Sequence, residues 1–295
     1  MTVPTPTWAP APSVSPAGTT ASAGAAPAAV AVEAGGARTA VASPSTVTVL
    51  SASGNLVEKV PVDEPATAVV ALPRGGFRAL AGRTVLQLTE SGVQRWSLPG
   101  TGSAIAVPPT GDWTAVALPA TGEVIILSPT GTVSRTIATG VRPTALAADD
   151  SRIAVVDASE SSLTVFDAAT GARQEGLRAG DGAVTVTSGG GGRFVVVDAR
   201  DGELLVFDSG PLILRQRHPV AGTPYGVSYD AQRRTLWVTV TQRNEVAGFD
   251  ISGGTPREVA RHPAVQLPVA VSVDPSSGAL AVAGFAEGLV QRIVP

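Results

Sequence analysis

Two histidines, two aspartates and four arginines are the side chains whose types and spacing could do chemistry in this chain. His218 and His262 sit in copies of one tripeptide, Arg217-His218-Pro219 and Arg261-His262-Pro263, 44 residues apart. Such a pair could act as metal ligands or as acid–base groups, because imidazole titrates near neutrality. Two imidazoles without a convergent carboxylate make a poor metal set, so the simpler expectation is that each tripeptide ends an exposed strand. Asp157 and Asp198 each close a Val-rich run. They could point carboxylates at a ligand, or they could start turns by accepting nearby backbone N–H groups. The turn is the expected role, and more firmly so for Asp167, Asp208 and Asp250, which stand in Phe-Asp pairs. Arg83, Arg142, Arg200 and Arg243, if gathered on one face, could hold an anionic ligand or an acidic partner by bidentate pairing. The alternative is a solvated rim in which Asp and Glu are interspersed.

Other chemistries are tested by the residues the sequence lacks. It has no cysteine, which removes disulfides, thiolate metal sites and Cys nucleophiles. No serine stands in a Gly-x-Ser-x-Gly elbow. Gly189 to Gly192 would need a helix start behind it to cradle a phosphate, but the β-branched run Phe194-Val195-Val196-Val197 follows, so it reads as a turn. No catalytic residue, metal ligand or cofactor is assigned.

The elements that must position these residues are repeats. Residues 223–250 hold the clearest copy: a short run entered at Pro224, a polar turn, Leu236-Trp237-Val238-Thr239-Val240, a second turn, and Val246 to Phe249. β-branched and aromatic runs between tight turns read as antiparallel strands. Equivalent first strands start at Pro27, Pro65, Gly102, Pro143, Gly182, Pro224 and Pro268, spaced 37 to 44 residues apart. Four short strands in each period of roughly 40 residues are the signature of a propeller blade. Seven starts predict a seven-bladed all-β propeller, with blades over 27–64, 65–101, 102–142, 143–181, 182–223, 224–267 and 268–295. The first strands carry Ala66, Ala68, Ala104, Ala106, Ala145, Ala147, Ala183, Gly226 and Ala270, as crowding at the axis of wedge-shaped blades requires.

The last repeat ends after three strands, and a ring without exposed edges needs a fourth from elsewhere. Residues 1–26, rich in Pro, Thr, Ser and Ala and free of charge, are expected to be mostly linker. Part of residues 8–26 is expected to pair with Leu289-Val290-Gln291-Arg292-Ile293-Val294 as the closing outer strand.

The pattern Pro-x-Gly-Val, Leu-Trp-Val-Thr, Val-x-x-Phe-Asp over residues 224–250 resembles the YVTN-type propeller repeat, whose relatives include lactonase-like propellers. The resemblance covers residues 27–295 and implies the fold. The signature tetrapeptide stands here as Trp237-Val238-Thr239-Val240. As an alternative function the resemblance implies a lactonase-like hydrolase of small molecules, although none of that family's catalytic residues maps onto this chain.

In a propeller the interblade connections and the turns between second and third strands share one face, the usual binding face. Arg83, Arg142, Asp157, Asp198, Arg200, Arg243 and both histidines are expected there. A net charge of −3 without a Lys/Arg run argues against nucleic acid. The use of Arg over Lys (only Lys59) suggests the coding bias of a GC-rich bacterial genome. No apolar stretch reaches 18 residues, so no transmembrane segment is expected. A charged-then-apolar leader is absent as well. A tail of this composition often follows a cleaved signal or a lipid-anchored cysteine in exported bacterial proteins. The expected function is a monomeric, non-enzymatic, extracytoplasmic binding or scaffold propeller, with a lipid anchor upstream of Met1 and a protein or small anionic ligand as partner.

Overall fold

The computed structural model describes residues 2–294. Seven four-stranded antiparallel sheets form the blades, in the chain order expected. The innermost strands are Ala29–Val32, Ala66–Ala71, Ala104–Ala106, Ala145–Ala148, Ala183–Gly190, Pro224–Asp230 and Pro268–Val273. Small residues line the axis for the anticipated reason. A Cβ on Gly226 would stand 2.7 Å from Val269 O and 2.8 Å from Ala270 Cα of the next blade. The glycine run of blade five makes its hairpin, with Gly190, Gly191 and Gly192 at φ 68°, 61° and 76°, a region that side-chain-bearing residues avoid.

The core lies between blades, not inside one sheet. In the second strand of blade four, Arg152–Asp157, the side chains of Ile153 and Val155 pack with blade three, while Ala154 and Val156 pack with blade five. Both faces of a middle strand are therefore covered. This is why these strands read as continuous apolar runs while the outer strand Arg173–Arg178 is exposed throughout. Five of the six phenylalanines (Phe77, Phe166, Phe194, Phe207 and Phe249) are fully buried in these seams, each contributing about 1.5–3 kcal/mol by leaving water.

One cation is sunk into a seam. Arg78 is 3% exposed. Its Nε and Nη2 donate to Gln87 Oε1 at 3.1 and 2.9 Å, Nη2 also to Pro129 O at 3.3 Å, and Nη1 to Thr114 Oγ1. Its guanidinium lies 4.9 Å from the Trp96 ring centroid. Among the described residues no carboxylate pairs with it; carbonyl, amide and ring acceptors clamp blade two to blade three. Burial lowers its pKa, yet a guanidinium keeps its charge in proteins.

The ring closes as anticipated. Thr19–Ser22 pairs antiparallel with Leu289–Ile293, Thr19 opposite Arg292 and Ser22 opposite Leu289, as the outer strand of blade seven. The rest of the N-terminal segment departs from the linker expectation: it crosses the face that carries the interblade connections. Arg200 Nη2 in blade five donates to Thr2 O at 2.5 Å. In blade six, Thr7 N–H donates to Thr241 Oγ1 at 3.2 Å and Asn244 Nδ2 to Pro10 O at 2.8 Å. Gln266 Nε2 donates to Ala9 O at 3.0 Å, and Gln291 Nε2 to Ala17 O at 2.7 Å. The segment buries little apolar surface. Side-chain amides of the ring hold its carbonyls instead, a mode that composition does not reveal.

Candidate functional site

The face bearing the interblade connections, here the top, collects most of the residues singled out by sequence. Asp157 and Asp198 lie there but turn inward, 2% and 0% exposed. Asp157 Oδ2 accepts Arg142 N–H at 2.7 Å, and its Oδ1 accepts Ser159 N–H at 2.9 Å, Ser159 Oγ–H at 2.5 Å and Glu160 N–H at 3.2 Å. Asp198 repeats the device one blade on, accepting Asp181, Arg200 and Asp201 N–H at 2.7, 3.0 and 3.0 Å. Each carboxylate thus starts its own turn and also clips the incoming connection from the preceding blade. Blade two does the reverse: Glu64, on the connection, accepts Arg83 N–H from the turn at 2.5 Å.

Burial alone would raise the Asp157 carboxyl, but the hydrogen bonds from Ser159 Oγ and from the N–H groups of Arg142, Glu160 and Ser159 outweigh it and hold the pKa below the usual carboxylate value. Asp274, on the opposite face, is lowered in the same balance by Ser277, Ser276 and Gly35 N–H against its own burial. A group with a depressed folded pKa stabilises the fold above its unfolded pKa of about 3.9, and that contribution is lost as pH falls through the folded value. Thermal midpoints recorded from pH 6 down to pH 2.5 should therefore fall below about pH 4, and Asp157→Asn should flatten the fall. A variant with the same pH profile as the parent would show that Asp157 carries none of it.

The arginines divide. Arg200 is engaged: its Nη1 donates to Asp181 O at 2.7 Å and Oδ2 at 3.3 Å, beside its contact with Thr2. The Arg83 guanidinium donates from Nη2 to Pro99 O at 3.2 Å. Arg83, Arg142 and Arg243 are exposed, Arg83 and Arg243 on turns of blades two and six and Arg142 on the connection that leaves blade three.

Each Arg-His-Pro ends an outer strand as expected, Leu212–Pro219 and Arg257–Pro263, but the histidines are half-buried packing groups and not exposed. His218 meets the Phe249 ring edge-on at 5.4 Å, and His262 stacks on Trp237 at 5.8 Å. The tripeptide repeats because its arginine does the same job twice. Arg217 reaches Glu203, and Arg261 reaches Glu245, both at 2.5 Å and both across to the start of the third strand. His262 Nε2 is buried without a hydrogen-bond partner among the described residues. No group of three or more His, Asp or Glu side chains fit to hold a metal occurs among the described residues.

Two features escaped the sequence reading. Trp8, 61% exposed, meets Phe285 edge-to-face at 6.4 Å beside an open groove of about 480 Å³. The larger feature is on the opposite face. Where the innermost strands end, residues of all seven blades line an open cavity of about 590 Å³ at the axis. The only sequence signal for it was the run of small residues on those strands, which read as crowding.

Fold and site together define a seven-bladed all-β propeller with a mixed-charge top face and an uncharged axial cavity below. The chain is similar in fold to a solved structure of hydrazine synthase from Kuenenia stuttgartiensis, with TM-score 0.76 and 15% identity over 92% of this chain and 96% of that one. It is similar to virginiamycin B lyase from Staphylococcus aureus, with TM-score 0.75 and 13% identity over 93% of this chain and 97% of that one. No protein-family model matches the chain, and no curated protein does. At these identities the likeness is one of fold. Among the described residues no helix is long and apolar enough to cross a membrane.

Proposed function

We propose that this protein is a non-enzymatic binding propeller of YVTN-type ancestry, which works outside the cytoplasm and meets an acidic partner through its top face. The observation that carries the reading is the division of charge there. Arg83, Arg142 and Arg243 are exposed on three different blades, among exposed carboxylates such as Glu64, Glu160 and Asp201, while Asp157 and Asp198 are consumed by backbone N–H groups. Guanidinium groups spread over a rigid ring suit an extended anionic surface better than a single small anion. The Pro/Thr/Ser/Ala-rich start of the chain supports export, with a lipid anchor upstream.

The test is capture from a cell-envelope extract with two baits, the protein and a variant carrying Arg83→Glu, Arg142→Glu and Arg243→Glu. Arg200 is left alone because it holds the N-terminal segment. Proteins retained only by the unaltered bait are then purified and titrated, and the triple variant should bind them at least about tenfold more weakly, roughly 1.4 kcal/mol. Identical capture by both baits, or saturable lactone turnover that the variant keeps, would overturn the reading in favour of a hydrolase.

A further inference from the structure

The axial cavity is built unlike the rest of the surface. Its volume of about 590 Å³ lies in the range of single small-molecule sites, roughly 300–1,000 Å³. No Asp, Glu, Lys, Arg or His lines it. Its wall is divided by chemistry. Blades one to four contribute only Val, Ala, Leu, Ile and Pro, among them Val32, Leu72, Ile105 and Leu146. Every hydroxyl comes from blades five to seven: Thr187, Ser188, Ser228, Tyr229 and Ser272.

Two of those hydroxyls are set in place by neighbouring blades. Ser228 Oγ accepts Val273 N–H at 3.3 Å, and Ser272 Oγ accepts Val32 N–H at 3.0 Å. A seryl oxygen that accepts a backbone N–H keeps its own proton to donate. Burial raises the pKa of the Tyr229 phenol, outweighing the opposing charges of Arg193 and Arg234, with smaller upward contributions from Asp230 and Asp250. It therefore stays a neutral donor at physiological pH.

We infer that this cavity is a binding site for an uncharged, largely apolar small molecule that carries hydrogen-bond acceptors, carbonyl or ether oxygens, along one edge. The apolar half would take the body of the molecule by area burial. The hydroxyl half would fix its orientation. A charged ligand would shed its hydration shell with no counter-charge on the wall, which is unfavourable. The site lies on the opposite face from the arginines, so it stands or falls independently of the proposed partner binding.

The probe is prodan, a neutral naphthyl ketone with environment-sensitive emission, set against anilinonaphthalene sulfonate, an anionic naphthalene probe. Prodan should saturate at one per chain with blue-shifted emission, and the sulfonate should bind at least about tenfold more weakly. Ala71→Trp, at a half-exposed position that also packs against the seam of blades one and two, narrows the apolar half and should weaken prodan at least about tenfold. Ala34→Trp at the exposed lip is the second variant should the first fail to fold. Ser228→Ala with Ser272→Ala should reduce the affinity for prodan while sparing the analogue in which its ketone C=O is replaced by CH2. Absence of saturable prodan binding would sink the inference. So would binding that a folded Trp variant leaves intact, which would place the probe elsewhere, or a preference for the sulfonate.

Discussion

Removing the chain up to Ser22 is expected to lower the thermal midpoint by about 10 °C and to make the protein self-associate. The truncation strips the outer strand from blade seven, four residue pairs along Leu289–Ile293. It also orphans amides that now hold the N-terminal segment. Gln291 is fully buried, and its Nε2 donates to both Ala17 O and Pro263 O. At roughly 1 kcal/mol net for each of the four residue pairs of the outer strand, the sum is about 4 kcal/mol, the largely solvent-facing contacts of residues 2–10 adding less. For a chain of this size each kcal/mol is worth roughly 2–4 °C. The bared edge would present unpaired N–H and C=O groups to a second copy, so light scattering should rise with concentration. A shorter truncation ending at Pro16 keeps the strand and should cost only about 2–3 °C, which separates ring closure from coverage of the top face. A monomer with an unshifted midpoint after the longer cut would show that the fourth strand is dispensable.

Asp198→Ala is expected to destabilise by about 3–4 kcal/mol, because it leaves up to three backbone donors unpaired in a water-poor site. The side chain is wholly buried and ties Asp181 of the interblade connection to Arg200 and Asp201 of its own turn. Asp198→Asn retains one acceptor oxygen and should cost about half as much. The pair of variants distinguishes two roles by melting and by partner titration. Loss of stability in the order Ala then Asn, with binding retained by the folded fraction, fits the clip. An unchanged midpoint with binding abolished would make Asp198 a direct ligand contact.

Much of the architecture was legible because it is written locally. Strand runs such as Leu236 to Val240, turn residues between them and a repeat of roughly 40 residues specify blades without reference to distant contacts. The missing strand of the last blade followed from counting, since a ring cannot tolerate one three-stranded member. The tail's course over blades five to seven did not follow. It depends on where the amides of Asn244, Gln266 and Gln291 come to rest, and these lie more than 200 residues from the carbonyls they hold.

The polar residues show the same division. Asp157 and Asp198 were recognisable as turn starters, because an aspartate that bonds the next two or three N–H groups is a local event. Their second bond, to Arg142 and to Asp181, crosses between blades and came only with the fold. The paired Arg-His-Pro sequences were visible as a repeat, but His218 found Phe249 because neighbouring blades pack face to face, and His262 found Trp237 across the sheet of its own blade, beside Gly248.

The sequence by itself determined the number of blades, their four-stranded make-up and the closing strand, since periodicity and turn chemistry act within a few residues. The tertiary structure alone decided which polar groups remain available. Burial of the aspartates, the clamp around Arg78 and the covering of part of the top face all arise where separate repeats meet. So does the cavity whose hydroxyls fall on three adjacent blades. Each innermost strand contributes at most three residues to the axial cavity, and only closure of the ring sets them against one another.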